Sequence, residues 1–221
     1  MSDIKPPKKI IKNILFPNNG DISIWDKLLI DDETVSYISL PEDAEKITTI
    51  IQQHCKNINL NPSICTITDA TAGAGGNVLS FSKVFNSVNA IEMDAKRYQF
   101  LTNNIDVYKI NNVNHYCDDC LNLIFNIYHD VVFMDPPWGG KEYKDKKNLK
   151  LKISNNNIES LCLKMIDNNT SKFVPKIIAL KLPKNYDLKY LYDTLNIKNI
   201  KIMLHCLNKM FLVIIYINND N

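Results

Sequence analysis

The sequence has no apolar run of the roughly 18–20 residues that a membrane-crossing helix requires, so no membrane partner is expected. Nor is there a surplus of charge: 26 lysines and arginines against 24 aspartates and glutamates leave a formal net charge of +2. A chain so nearly balanced has no general electrostatic affinity for nucleic acid, and any phosphate contact must come from a local patch. The six cysteines follow no regular spacing and no secretory signal precedes them. That excludes a disulfide framework and points to a reduced, intracellular chain, cytoplasmic or nuclear. Cys117-Asp118-Asp119-Cys120, with His115 nearby, lacks the second Cys pair or the His pair that zinc needs, so no metal is expected. His54, His129 and His205 have no readable catalytic partner, no nucleophile–base arrangement stands out, and no internal repeat is visible.

What is present has the balance of a soluble globular protein, with 45% hydrophobic and 23% charged residues in 221. That length suggests one domain, or one domain with a small appendage, a monomer by default. The opening MSDIKPPKKIIK carries Lys5, Lys8, Lys9 and Lys12 and reads as a solvated basic arm within residues 1–24. Residues 25–60 form a helical lead-in, in which Pro41 and the acids after it open a helix over 41–56. From residue 61 onward strands and helices alternate. Strands are expected before Asp69, over 88–94, around Asn114–Cys117, over 130–135 and over 176–182, with helices at 78–85, from 95 to about 110, and around 157–168. This alternation predicts an α/β fold with a mostly parallel, doubly wound sheet. Apolar runs near 199–206 and 209–217 would add an antiparallel hairpin.

At the first strand's end, Asp69-Ala70-Thr71-Ala72-Gly73-Ala74-Gly75-Gly76-Asn77 places glycines where a strand gives way to a helix, allowing a tight turn and close approach to a ligand. Glu92 follows Asp69 by 23 residues, the offset at which a carboxylate grips ribose hydroxyls in nucleotide-binding sheets. The pattern is D-x-x-x-G-x-G-G rather than the dinucleotide G-x-G-x-x-G. An acid before the glycines suits a cofactor with a cationic amino-acid end, namely S-adenosyl-L-methionine. The candidate cofactor-binding set is Asp69, Thr71, Gly73, Gly75, Asn77, Glu92 and Asp135, with one of Asp118 and Asp119 available for the adenine amine. Taken alone, that last pair is open between ligand contact and solvated loop.

The stretch VVFMDPPWGG (131–140) runs a buried strand into an acid, two prolines and a tryptophan. Prolines end a ladder and fix the chain's direction. An exocyclic amine on an aromatic base is a poor nucleophile because its lone pair is delocalised into the ring. Methylating one requires fixed acceptors for its hydrogens, and correct placement can remove roughly 7–11 kcal/mol of barrier. Asp135 and the Pro136 carbonyl provide such acceptors, and Trp138 a surface on which to stack the base. Six lysines between 141 and 152 follow, a run that reads equally as a solvated face or a phosphate-facing loop.

Together, YISLPEDAEKI (37–47), DATAGAGGN (69–77) and DPPWGG (135–140) resemble the trimethylguanosine synthase family, which methylates the N2 amine of a 7-methylguanosine RNA cap. The resemblance extends in order over roughly 25–217, including Glu92 to Asp94 and Leu182-Pro183-Lys184-Asn185. It implies a Rossmann-like class I methyltransferase domain over 61–221, with a seven-stranded, mostly parallel sheet and a C-terminal antiparallel hairpin. Its partner would be capped RNA. By position, Asp119 would meet adenine, Trp138 would stack on 7-methylguanine, Asp135 and Pro136 would hold N2, and Tyr143, Lys184 and Asn185 would lie toward the cap phosphates. Here Leu40 stands for a threonine, Lys141 for a proline, and Lys184 for an arginine, giving a point charge where the family has a bidentate fork. Adenine-N6 or guanine-N2 methylation of uncapped RNA or DNA, and cap binding without catalysis, are the alternative readings.

Overall fold

A computed structural model describes residues 8–197 and 199–217, leaving aside the side chains of 8–11 and of Lys141. Seven strands form the main sheet: β1 Thr66–Asp69, β2 Ser87–Glu92, β3 Val113–Cys117, β4 Val131–Met134, β5 Ile177–Pro183, β6 Ile200–Cys206 and β7 Met210–Ile217. Their order is β3-β2-β1-β4-β5-β7-β6. The first five strands are mutually parallel, and β7 runs antiparallel to both β5 and β6. The expected parallel sheet and terminal hairpin are both present, with β7 inserted between β5 and β6.

The helices are α1 Lys8–Leu15, α2 Ile24–Lys27, α3 Pro41–Asn57, α4 Gly76–Phe81, α5 Ala95–Val107, α6 Cys120–Leu123, α7 Ile158–Ile166 and α8 Leu188–Leu195. One face of the sheet packs against α3, α4 and α5 through Ile47, Ile51, Val78, Phe81, Leu101 and Ile105. The other packs against α6, α7 and α8 through Cys120, Ile158, Leu161, Leu191 and Leu195. β4 shows why its sequence is uniformly apolar: Val131 and Phe133 point into the first layer, Val132 and Met134 into the second, and all four are buried.

Several elements differ from the sequence reading. α4 starts at Gly76 because Gly75, at φ 98°, is its N-cap, and residues 82–85 continue as tighter turns. Of the stretch read as an arm, α1 leads into Leu15 and Phe16, which are buried with Ile24, Trp25, Leu28 and Leu79 in a third apolar cluster. The boundary drawn between 24 and 25 thus falls inside packed structure, while Lys5 lies outside the described residues. Neither α8 nor the short antiparallel pair Lys152–Ile153 and Asn156–Asn157 was expected.

Register positions the site. Asp69 pairs with Ala90 on one side and Phe133 on the other, so Glu92 and Asp135 each lie two residues beyond a partner of Asp69. Met134 pairs with Leu180, which brings Lys181 beside Asp135. All four residues meet at the carboxyl edge where strand order reverses, the usual ligand crevice of an open α/β sheet.

Candidate active site

The turn after β1 is a cradle shaped by two left-handed glycines, Gly73 at φ 55° and Gly75 at φ 98°. A Cβ on Gly73 would meet no atom within 4 Å, so space lies open above its backbone. Glu92 braces the cradle: one carboxylate oxygen accepts the Gly73 N–H at 2.9 Å and the other the Asp94 N–H at 2.8 Å. Arg97 Nε lies 3.7 Å from the same carboxylate. Asp69 is fully buried, and its Oδ1 accepts the Thr71 N–H at 3.0 Å. Its Oδ2 has no hydrogen-bond partner. Burial, then the charges of Asp135 and Glu92, push the Asp69 carboxyl up to about 7, against the Thr71 N–H and Lys181. An orphaned buried carboxylate oxygen beside an open glycine turn fits a cationic amino-acid end.

The second half of the site is joined to the first by one hydroxyl: Thr71 Oγ1 accepts the Asp135 N–H at 2.7 Å. Asp135 Oδ2 in turn accepts from Lys181 Nζ at 2.6 Å, with side-chain exposures of 16% and 7%. Lys181 also donates to Ser39 Oγ at 2.8 Å, and Asn77 Nδ2 donates to the same hydroxyl at 3.0 Å. Burial raises the Asp135 carboxyl above its ordinary range while Lys181 opposes that rise. Trp138 is half-buried between the two sheet layers, its indole N–H without a partner. The ring meets Tyr143 edge-on at 5.2 Å between centroids and lies 5.8 Å from Lys181 Nζ. A rigid platform, a fixed carboxylate and the cradle therefore share one edge of the sheet.

The remaining sequence-predicted residues have different placements. Asn77 is buried, its Nδ2 engaged by Ser39 and its Oδ1 without a hydrogen-bond partner. Asp119 caps α6 by accepting the Leu121 N–H at 2.9 Å, and its other oxygen accepts from the Ser154 hydroxyl at 2.5 Å. Lys184 is exposed and its amine contacts Cys206 Sγ and the Phe211 ring. Asn185 donates to the Tyr143 and Lys146 carbonyls at 2.6 and 2.7 Å, pinning the loop that carries Tyr143. Two residues of the site were not foreseen. Lys181 and Ser39 complete the polar network, and a Cβ on Gly76 would sit 2.8 Å from the Ser39 carbonyl, so glycine there lets residues 38–39 pack closely. The signal for Lys181 was a lysine inside the apolar strand IIALKLP, where a charge needs a partner. No His, Cys, Asp or Glu cluster able to hold a metal occurs among the described residues.

Comparison with known proteins gives a consistent picture. The model of the family described as RNA cap guanine-N2 methyltransferase matches residues 64–220. An uncharacterized protein of Acanthamoeba polyphaga mimivirus is 38% identical over 93% of this chain and 85% of its own length. Trimethylguanosine synthase of Schizosaccharomyces pombe is 30% identical over 57% of this chain and 53% of its own length. Among solved structures, a T. thermophilus 16S rRNA N2 methyltransferase in complex with AdoMet and guanosine superposes with a TM-score of 0.57 at 11% identity, covering 86% of this chain and 44% of that one.

Proposed function

The chain belongs to the RNA cap guanine-N2 methyltransferase family and is an S-adenosylmethionine-dependent methyltransferase, and we propose that the amine it methylates is N2 of a 7-methylguanosine RNA cap. S-adenosylmethionine supplies an electrophilic methyl group when bound. Glu92 would take the ribose hydroxyls, Asp69 and the Gly73 turn the amino-acid end, and Asp119 the adenine amine.

The observation that carries the substrate reading is the juxtaposition of Trp138 with the Lys181-anchored carboxylate of Asp135. N7-methylation makes guanine cationic, and a cation held over a desolvated tryptophan gains roughly 2 kcal/mol. It also acidifies N1, which eases charge redistribution from N2. Asp135 and the Pro136 carbonyl would accept from the N2 amine and hold it in line with the incoming methyl. Because Lys181 and Thr71 fix Asp135 at both ends, the acceptor is in place before the base arrives. Tyr143 and Lys184 would meet the cap phosphates, with Asn185 holding the Tyr143 loop in place.

The test is transfer of labelled methyl to 7-methyl-GTP, GTP and 7-methyl-ATP in parallel, followed by product mass. The expected result is product from 7-methyl-GTP alone, with the mass counting the methyls. Equal transfer to GTP would overturn the requirement for prior N7 methylation. Transfer only to uncapped RNA or DNA would overturn the cap reading.

A further inference from the structure

From the basic segment that follows Trp138, and resting on the cap reading, we infer that Lys146, Lys147, Lys150 and Lys152 form a track for the phosphates of the RNA strand just downstream of the cap. Residues 149–153 read Leu-Lys-Leu-Lys-Ile, and the alternation is kept in space: Leu149, Leu151 and Ile153 are buried, while Lys150 and Lys152 are exposed. That is the period of an extended chain, which places its two lysines on one face about 6.6 Å apart. The segment is held to the body of the protein. Leu149 N–H donates to the Asn185 carbonyl and Asp187 N–H to the Leu149 carbonyl, both at 2.9 Å, so 149 lies alongside 185–187 just past the tip of β5.

Its charge is left unspent. Lys83, Lys96, Lys176, Lys181 and Lys189 all pair with carboxylates within 4 Å. Among the described residues none of Lys144, Lys146, Lys147, Lys150 and Lys152 does. Five lysines against the single acid Asp145 leave nine residues with a net charge of +4, and anchoring the segment prevents the like charges from separating. Lys150 stands 3.4 Å above the centroid of Tyr190, which fixes its amine without neutralising it. The row begins beside the stacking platform, since Tyr143, in edge contact with Trp138, immediately precedes Lys144. A base seated on Trp138 would therefore lead its 5′–5′ linkage and first nucleotides onto an aligned, unneutralised cationic edge. An acidic protein segment would meet the same charge but not the need to start at Trp138.

The experiment compares the full chain with Lys146→Ala/Lys147→Ala/Lys150→Ala/Lys152→Ala, using a 12-nucleotide RNA bearing a 7-methylguanosine cap and, separately, 7-methyl-GTP. Each lysine meeting a single-strand phosphate contributes about 0.7 to the log–log salt slope. Four therefore give up to about 3, or up to ~50-fold more loss of affinity for the parent chain between about 50 and 200 mM salt. The expected result is that slope difference for capped RNA, unchanged transfer to 7-methyl-GTP, and recovery in the four-arginine variant. An unchanged salt slope, equal loss on 7-methyl-GTP, or tighter binding of polyglutamate than of RNA would overturn the track. If the parent chain methylates neither substrate, the cap reading fails. Anisotropy with uncapped 12-nucleotide RNA then still decides the track by the same slope difference.

Discussion

Replacing Lys181 by methionine keeps the stem and removes the charge that Asp135 is built around. The amine is 2.6 Å from the carboxylate, and the two side chains are 7% and 16% exposed. Removing one member of a buried ion pair costs about 3–5 kcal/mol. The partial exposure of Asp135 places the expectation near the lower figure, about 3 kcal/mol. At roughly 2–4 °C per kcal/mol for a chain of this size, Tm should fall by about 6–12 °C at pH 8. The pH dependence has a definite sign. Burial already holds Asp135 above its ordinary range and Lys181 opposes it, so without the lysine the folded-state value rises further. A group raised in the folded state contributes stability that is complete below its unfolded value near 4 and is lost as pH rises through the folded value. Asp69, also held down by Lys181, moves in the same direction. The deficit of Lys181→Met should thus be smallest near pH 5 and largest near pH 8. Lys181→Met combined with Asp135→Asn should recover most of it. Thermal melts of the parent, both single variants and the double variant at the two pH values provide the measurement. A deficit independent of pH, or a double variant no more stable than Lys181→Met, would refute the pairing.

Trp138→Ala should weaken 7-methyl-GTP binding by at least ~30-fold, the equivalent of about 2 kcal/mol of cation–π attraction, with cofactor affinity nearly unchanged by calorimetry. Glu92→Ala should do the reverse, lowering cofactor affinity by about 10- to 150-fold for a charge-assisted hydrogen bond of 1.5–3 kcal/mol. Equal loss of both ligands in either variant would contradict the division of the site. Gly76→Ala forces a methyl to within 2.8 Å of the Ser39 carbonyl and 2.9 Å of Ile38 Cγ1. It should destabilise the chain by about 1–3 kcal/mol in denaturant titrations, and a cost below 0.5 kcal/mol would show that residues 38–39 are free to move.

The acids at strand ends were legible because each had a local sign: Asp69 precedes a glycine turn, Glu92 closes an apolar run, and Asp135 precedes two prolines. The hairpin was legible from two apolar runs. Lys181 and Ser39 were not, because their meaning lies in register. Asp135 and Lys181 are 46 residues apart in sequence and become neighbours only because Met134 pairs with Leu180. The same limit applies to Asn185 and Lys184. Their contacts, Asn185 donating to the Tyr143 and Lys146 carbonyls and the Lys184 amine meeting Cys206 Sγ and the Phe211 ring, come from residues distant in sequence. α8 carries a readable signal, Asp187 as cap followed by Leu188, Leu191 and Leu195.

The electrostatics of the site give the proposed substrate a physical basis that the sequence motif alone does not. Asp69, Glu92 and Asp135 converge on the edge where β1 meets β4, and Lys181 and Arg97 are the cations against them. Asp94 also lies 3.8 Å from Arg97, so even with Asp69 protonated, as its value of about 7 allows near neutral pH, Glu92, Asp94 and Asp135 stand against two cations and leave this part of the site one negative charge in excess. A site of that sign in a partly desolvated cleft discriminates between ligands by charge more than by shape. Guanine and 7-methylguanine differ little in outline, but only the second is a cation. A neutral base on Trp138 keeps the stacking and loses the cation–π attraction, a difference of roughly 2 kcal/mol or ~30-fold. Selectivity for 7-methyl-GTP over GTP should therefore be at least of that order and should persist at high salt, because a contact buried against the ring is screened far less than the exposed lysine row. A preference that vanished with salt would place the discrimination at the surface and not at Trp138.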